Sequence, residues 1–396
     1  MQVISVIGQG YVGLPLSLAA AKSGFKVFGV DVNQNIVNQL NSGTTNIEDV
    51  DLVSLKELLK NGSYSATTDF SVVVESSVIL ICVPTPLQDN RKPDLSDLIS
   101  AVKSVGEYLS KGSLVIIEST VAPGTTRSLV VPILEKESGL KVNEFYVAFS
   151  PERIDPQNKT WNVKNTPKLV SGLTERASVI AIEFYSKFID IMVDCNSIEV
   201  AEMAKLLENS FRLVNISFIN EISITCQKLG IDITDVIKAA STKPYGFMSF
   251  YPSIGIGGHC IPVDPIYLAE KAREIGAPTK LIDLADEINK KMPSYFVKRS
   301  EEKIGGLSGK KVLVLGVSYK PNIADVRETP VEALIICLKE KGAKVSWHDD
   351  LVKEWNGDKS VAISSNFDLA IIATPHDYID LTALGKIPIL DTRNSI

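Results

Sequence analysis

The run Gly255-Ile256-Gly257-Gly258-His259-Cys260-Ile261-Pro262-Val263-Asp264-Pro265 sets one thiol between a glycine-rich approach and a helix start. Asp264 and Pro265 read as the N-cap and first helical residue, because an Asp carboxylate accepts orphaned N–H groups and Pro fits the first position. A thiol just upstream of that point lies in the positive field of the helix end, which favours the nucleophilic thiolate. Most free cysteines are small buried hydrophobes, and that is the competing reading. The paired glycines and the nearby Asp264 favour the nucleophile.

A second constellation opens the chain. Gly8-Gln9-Gly10-Tyr11-Val12-Gly13 follows an apolar strand and begins a helix. Gly8 permits the tight turn, Gly10 lets a pyrophosphate approach the backbone, and Gly13 allows close helix–strand packing. Asp31 ends the next strand, where a carboxylate binds a ribose 2′-OH and repels a 2′-phosphate. NAD is therefore expected over NADP; a glycine turn with an ordinary strand-end acid is the alternative.

Other groups stand at strand ends. Pro84-Thr85 and Ser119-Thr120 each follow an apolar strand, as cofactor-crevice loops or as plain turn chemistry. Pro151-Glu152-Arg153 leaves the strand at 144–149, read as the last of the N-terminal domain, with Glu152 aimed into a cleft or paired with Arg153 at the surface. Lys205 and Asn209 share one face of a long helix, lining a polar cavity or facing solvent. Lys320, Arg327 and Arg393 offer cations to a diphosphate, or belong to solvated loops.

These groups need a frame. Strands at 3–8, 26–31, 78–83, 114–118 and 144–149, with a helix at 14–22, give a βαβ texture and imply a doubly wound parallel sheet. From Ser197 to Leu229 there is no strong breaker, and Val200, Met203, Ala204, Leu207, Phe211, Val214 and Phe218 recur at helical spacing. Such a helix reads as an interdomain or dimer spine. Helical sequence continues to about Lys303, and βαβ texture returns at 311–316, 330–341, 344–348 and 369–373. The fold class is α/β: two Rossmann-like doubly wound domains (1–196 and 305–396) joined by a helical domain (197–304) with a long central helix.

Composition narrows the function classes. With 396 residues, 45% hydrophobic and a net charge of −6, the chain is an ordinary globular protein without the basic balance of a nucleic-acid binder. No run is long and apolar enough to cross a bilayer, and because the N-terminus enters a strand at once no signal peptide is expected. Five scattered cysteines point to reduced thiols in a cytoplasm, and three histidines without metal spacing argue against zinc.

Taken in order, GxGYVG, Ser-Pro-Glu, Ala-Glu-Met-Ala-Lys-Leu-Leu-Glu-Asn, Gly-Gly-His-Cys and Tyr-Lys-Pro/Asp-Val-Arg-Glu-Thr-Pro resemble the UDP-glucose/GDP-mannose dehydrogenase family from the first strand to Arg393. Within it the chain is similar to the UDP-N-acetylglucosamine 6-dehydrogenases, on Ser150–Asn158, Ser241–Phe247 and Phe250-Tyr251-Pro252. Arg153 and His259 depart from the Ser-Pro-Glu-Phe and Gly-Gly-Ser-Cys common in UDP-glucose dehydrogenases. The resemblance implies oxidation of a sugar C6 alcohol to a carboxylate with two NAD+ per sugar, through a thiohemiacetal and thioester on Cys260. Lys205, Asn209 and Asp264 would handle proton and oxyanion, and Glu152 or Asp264 would assist hydrolysis. It places Gly8, Gly10, Tyr11, Val12, Gly13, Asp31, Pro84, Thr85, Thr120 and Arg327 at the cofactor. Glu152, Arg153, Lys205, Asn209, Phe250, Tyr251, Ser253, Gly257, Lys320 and Arg393 fall at a UDP-sugar. UDP-glucose, UDP-N-acetylgalactosamine and UDP-N-acetylmannosamine are the other substrates it allows, and an idle nucleotide-binding sensor is the reading from another class. A homodimer without nucleic-acid or membrane partners is expected.

Overall fold

The computed structural model describes residues 2–47, 50–154, 158 and 160–393. The chain divides into two compact units, Met1–Leu207 and Glu208–Ile396.

The first unit is built on strands β1 (Val3–Ile7), β2 (Lys26–Val30), β3 (Tyr64–Thr67), β4 (Val78–Ile81), β5 (Leu114–Ile117), β6 (Tyr146–Phe149), β7 (Lys168–Gly172) and β8 (Met192–Asp194). Their order is β3-β2-β1-β4-β5-β6-β7-β8, and β1 to β6 are parallel. The chain reverses direction across the sheet between β1 and β4, which opens a crevice at their carboxyl ends. Helices α1 (Gly13–Lys22), α2 (Gln34–Asn41), α3 (Leu52–Lys60), α4 (Ser96–Glu107), α5 (Val131–Ser138) and α6 (Glu175–Tyr185) form the crossovers and flank the sheet. Because strand side chains alternate faces, Val78 and Leu80 join a core with Leu14 and Tyr185, while Ile79 and Ile81 join one with Val102 and Leu134.

Two expectations need correction here. The strand at 144–149 is not the last of its sheet, since β7 and β8 follow, and the sheet is not wholly parallel because β7 runs antiparallel to β6. The segment between β6 and β7 forms no helix in its described residues, and a connection without a helical crossover returns the chain in the opposite sense. Of the Ser150–Asn158 stretch, residues 155–157 lie outside the described residues.

Helix α7 (Ile198–Leu229) matches the expected unbroken run, and Val200, Met203, Leu207, Phe211 and Phe218 on it are exposed. Helices α8 (Ile233–Ser241), α9 (Asp264–Glu274) and α10 (Lys280–Ile304) follow, with the cysteine loop between α8 and α9.

The second sheet has parallel order β10-β9-β13-β14, formed by β9 (Lys311–Leu315), β10 (Lys344–His348), β13 (Leu369–Ile372) and β14 (Ile389–Asp391). A short hairpin, β11 (Glu354–Trp355) and β12 (Asp358–Lys359), lies outside it. Val312 and Val314 pack with Phe296 of α10 and Leu334 of α11 (Pro330–Glu340), and Leu313 and Leu315 face Leu384. The fold is therefore two Rossmann-like α/β sheets joined by helical chain. Among the described residues no helix is long and apolar enough to cross a membrane.

Candidate active site

The first unit supplies a dinucleotide crevice. Gly8 turns with φ +88°, and a Cβ on Gly13 would stand 1.8 Å from the Gly8 carbonyl oxygen, so that turn admits no side chain. A Cβ on Gly10 would meet nothing within 4 Å, leaving its backbone open to a phosphate. Asp31 accepts the N–H groups of Gln9 and Asn33, each at 2.9 Å, which fixes its carboxylate at the rim. Tyr11 is exposed beside Val12, and Pro84, Thr85 and Thr120 sit in the loops after β4 and β5. This is a cradle of the shape and acidity that NAD requires.

The loop after Thr120 is tied to α7. Buried Glu202 accepts from Gly124 N (2.5 Å) and Thr126 N (2.9 Å), and burial raises its pKa against those bonds. Lys205, half-buried, follows it by about one turn, with Asn209 a further turn along the same helix face.

Behind Glu152 lies a buried charged cluster. Glu152 Oε1 accepts from Arg153 N (2.6 Å) and Ile154 N (2.7 Å), while Oε2 lies 3.8 Å from Lys168 Nζ. Arg153 itself donates to the Pro167 carbonyl at 2.7 Å. Lys168 Nζ also donates to Glu118 at 2.8 Å and stands over the Tyr185 ring, whose hydroxyl donates to Glu118. Burial pushes Glu118 up to about 7 against the pull of Lys168. Burial works against the Lys168 ammonium, but Glu118 and Glu152 outweigh it and raise its pKa.

In the second unit the cysteine loop is held on three sides. Ser253 N donates to Asn220 Oδ1 (2.8 Å) and Ser253 Oγ to the Gly255 carbonyl (2.9 Å). Ile256 N donates to Asn289 Oδ1 at 2.6 Å. A Cβ on Gly257 would lie 2.7 Å from both the Glu328 oxygen and Tyr319 Cβ, so only glycine lets the loop rest on the chain after β9. Phe250 stacks edge-on against Phe211 with centroids 5.8 Å apart, and Tyr251 is exposed.

Cys260 precedes α9, but Asp264 is not its N-cap. Val263 N and Asp264 N already donate to the Cys260 carbonyl at 3.1 and 2.8 Å, so helical geometry starts earlier and Asp264 is the first helical residue. Its buried carboxylate instead accepts from Asn209 Nδ2 at 2.5 Å. The carboxylate, the amide and the helix end carrying the cysteine are thereby locked together.

The expected anion-binding cations sit at the carboxyl ends of the second sheet. Arg393 follows β14, burial lowers its pKa against the pull of Asp391, and its buried Nε has no hydrogen-bond partner. An orphaned guanidinium donor of this kind fits a phosphate. Lys320 is half-buried in the loop after β9. Arg327 is gripped by Asp325 through Nε (2.9 Å) and Nη2 (2.6 Å). Burial notwithstanding, those bonds lower the Asp325 pKa, with His259 of the cysteine loop contributing.

Sequence reasoning passed over Asn220, Asn289, Glu118, Lys168 and Glu202 as site supports. Their signal was polarity within apolar helices and strands, since a buried polar group needs a partner.

Sequence models of the UDP-glucose/GDP-mannose dehydrogenase family match the chain along its length: the NAD binding domain over residues 2–189, the central domain over 199–291 and the UDP binding domain over 313–396. The chain is 39% identical over 355 residues to a UDP-N-acetyl-D-glucosamine 6-dehydrogenase of Pseudomonas aeruginosa, covering 88% of this chain and 83% of that one. Among solved structures it resembles a UDP-D-ManNAc dehydrogenase from Pyrococcus horikoshii, with TM-score 0.92, 33% identity, and 100% and 96% of the two chains covered. A UDP-glucose dehydrogenase from Pyrobaculum islandicum superposes with TM-score 0.89 at 29% identity, over 99% and 94% of the chains. The chain belongs to the UDP-glucose/GDP-mannose dehydrogenase family and is an NAD-dependent oxidoreductase of nucleotide sugars.

Proposed function

We propose that this protein oxidises the C6 alcohol of UDP-N-acetylglucosamine to the carboxylate, using two NAD+ per sugar and Cys260 as covalent carrier. The observation that carries the chemistry is the Asn209–Asp264 hydrogen bond at the first residue of the helix that Cys260 precedes. NAD+, when bound, takes up the two electrons of each oxidation step. Lys205, Asn209 and Asp264 hold a water or proton carrier and stabilise charge on the C6 oxygen. The Cys260 thiolate adds to the aldehyde carbon to give a thiohemiacetal, which the second oxidation converts to a thioester. Water assisted by Glu152 or Asp264 then breaks the C–S bond and returns the thiolate. Arg393 and Lys320 bind the substrate diphosphate, and Arg327 serves the cofactor side.

The N-acetylglucosamine assignment follows the Pseudomonas aeruginosa relative, while the Pyrococcus horikoshii likeness favours N-acetylmannosamine as the second reading. A panel of UDP-sugars decides. NADH formation should be fastest with UDP-N-acetylglucosamine, at two NADH per sugar, and a clear preference for UDP-glucose overturns the assignment. Cys260→Ser should keep UDP binding and lose the covalent adduct by intact-mass spectrometry. UDP binding by the wild type with no NADH from any sugar would support a sensor instead.

The exposed apolar stripe on α7 supports a homodimer. Light scattering should give twice the chain mass, reduced to one by Phe211→Glu. Five cysteines present as thiols support residence in the reducing cytoplasm.

A further inference from the structure

The two sheets repeat one device and use it differently. In the first, Gly8 N donates to the Val30 carbonyl and Asp31 receives Gln9 N and Asn33 N. In the second, Gly316 N donates to the His348 carbonyl (2.9 Å) and Asp349 receives Val317 N (3.0 Å) and Leu351 N (2.9 Å). Asp349 thus occupies the place that holds a ribose in a dinucleotide site. It is not available for that role. Its carboxylate is wholly buried and also receives Val352 N (3.1 Å), Tyr378 OH (3.2 Å) and His376 Nε2 (3.1 Å).

His376, in the loop after β13, faces the other way with its second nitrogen. Nδ1 accepts the backbone N–H of Asn322 at 2.8 Å, so the proton of the neutral ring resides on Nε2, toward Asp349. The ring is clamped by stacking on Tyr378, with centroids 4.9 Å apart and planes at 17°. Asn322 takes a left-handed φ of 64° and exchanges two hydrogen bonds with Asp377, at 2.8 and 3.0 Å. Ser318 Oγ donates to the Lys320 carbonyl at 2.9 Å, and the Ser318 carbonyl accepts from Thr374 Oγ1 at 2.7 Å. The loop held in this way carries Lys320, and its Tyr319 forms the bed for Gly257 and Gly258.

We infer that His376 is a positioning residue for nucleotide-sugar binding and turnover. Anchored on Asp349, it fixes the Asn322 N–H and with it the loop that presents Lys320 and supports the cysteine loop. In the second Rossmann-like sheet the acidic strand end serves as a loop anchor, whereas in the first Asp31 stands at the rim of the dinucleotide crevice. This rests on the proposed UDP-sugar oxidation for the role of Lys320, whereas the anchoring itself is a matter of UDP affinity.

An amide pair tests it in the full-length protein. His376→Asn sets a carbonyl oxygen near the Nδ1 position and keeps an acceptor for Asn322. His376→Gln extends an amide toward the Nε2 position, keeps the Asp349 contact and strands the Asn322 N–H. Leaving that donor unmatched should weaken UDP binding by calorimetry, and raise KM for UDP-N-acetylglucosamine, by a factor of roughly ten. The Asn variant should stay within about threefold of wild type, and KM for NAD+ should be unchanged in both. If Gln does not fold, His376→Ala should lose UDP affinity and regain it with added imidazole. Wild-type UDP affinity in both the Gln and Ala variants overturns the inference, as does equal loss in Asn and Gln accompanied by a raised KM for NAD+. A wild type that binds UDP but oxidises no UDP-sugar defeats the functional reading alone, because the calorimetric comparison still decides the anchor.

Discussion

Replacing Glu118 by Gln tests the electrostatics behind the candidate site. Glu118 is fully buried at the end of β5, facing Lys168 Nζ and the Tyr185 hydroxyl, with Cys82 and Glu152 also nearby. Burial raises its pKa from 4.5 to about 7. Below pH 4.5 the carboxyl is protonated in both folded and unfolded chains. Between 4.5 and 7 the unfolded chain releases its proton while the folded one keeps it, so stability falls as pH rises. Above 7 the full cost persists, and at about 1.4 kcal/mol per pH unit it amounts to roughly 3 kcal/mol. Gln is the neutral isostere of the protonated acid and removes that cost. Differential scanning calorimetry should therefore show little difference between Gln variant and wild type near pH 4.5. At pH 8 the first unit of the variant should melt roughly 6–12 °C higher. A gap independent of pH, or a Gln variant that melts lower at pH 8, would show that burial does not penalise the ionised Glu118. Lys168→Met is the contrasting perturbation: it leaves Glu118 and Glu152 facing one another without their cation and should destabilise by about 3–5 kcal/mol at pH 8.

Other perturbations have separate readouts. Gly257→Ala forces a Cβ within 2.7 Å of the Glu328 oxygen and Tyr319 Cβ, atoms that cannot swing aside, at a cost of about 1–3 kcal/mol. It should cut turnover at least about tenfold with NADH affinity intact, and full turnover would count against the packing argument. Asp31→Ala frees Gln9 N and Asn33 N and removes the acid at the crevice rim. NADH affinity by calorimetry should drop by roughly tenfold or more while UDP affinity is unchanged, and an unaltered NADH affinity would show that Asp31 is only structural. Glu202→Ala leaves Gly124 N and Thr126 N without their acceptor, at about 1–3 kcal/mol each. The first unit should melt lower, and an unchanged midpoint would mean that water replaces the carboxylate.

Much of the fold was legible because its signals are local. Apolar strand runs, the glycine turn and the breaker-free stretch that became α7 each follow from neighbouring residues, and β10 falls on Lys344–His348 as the pattern implied. The strands β7 and β8 were not legible. Met192–Asp194 is short and mostly exposed, and pairing along a distant edge leaves little periodic trace. The start of α9 shows the same limit on a smaller scale. Asp-Pro reads locally as a cap, yet the preceding turn closes on Cys260 and the carboxylate finds Asn209 instead.

The sequence alone determined the chemistry on offer: a dinucleotide turn followed by Asp31, a thiol after paired glycines, and a Lys–Asn pair on one helix face. Those depend on spacing along a few turns of backbone, which residue order dictates. Tertiary structure decided which groups act together. Only folding puts Asn209 on Asp264, Lys168 against both Glu118 and Glu152, and His376 between Asp349 and Asn322. These partners lie on separate elements of the chain, so their contacts, and the burial that makes those contacts matter, arise from packing of whole elements rather than from any local pattern.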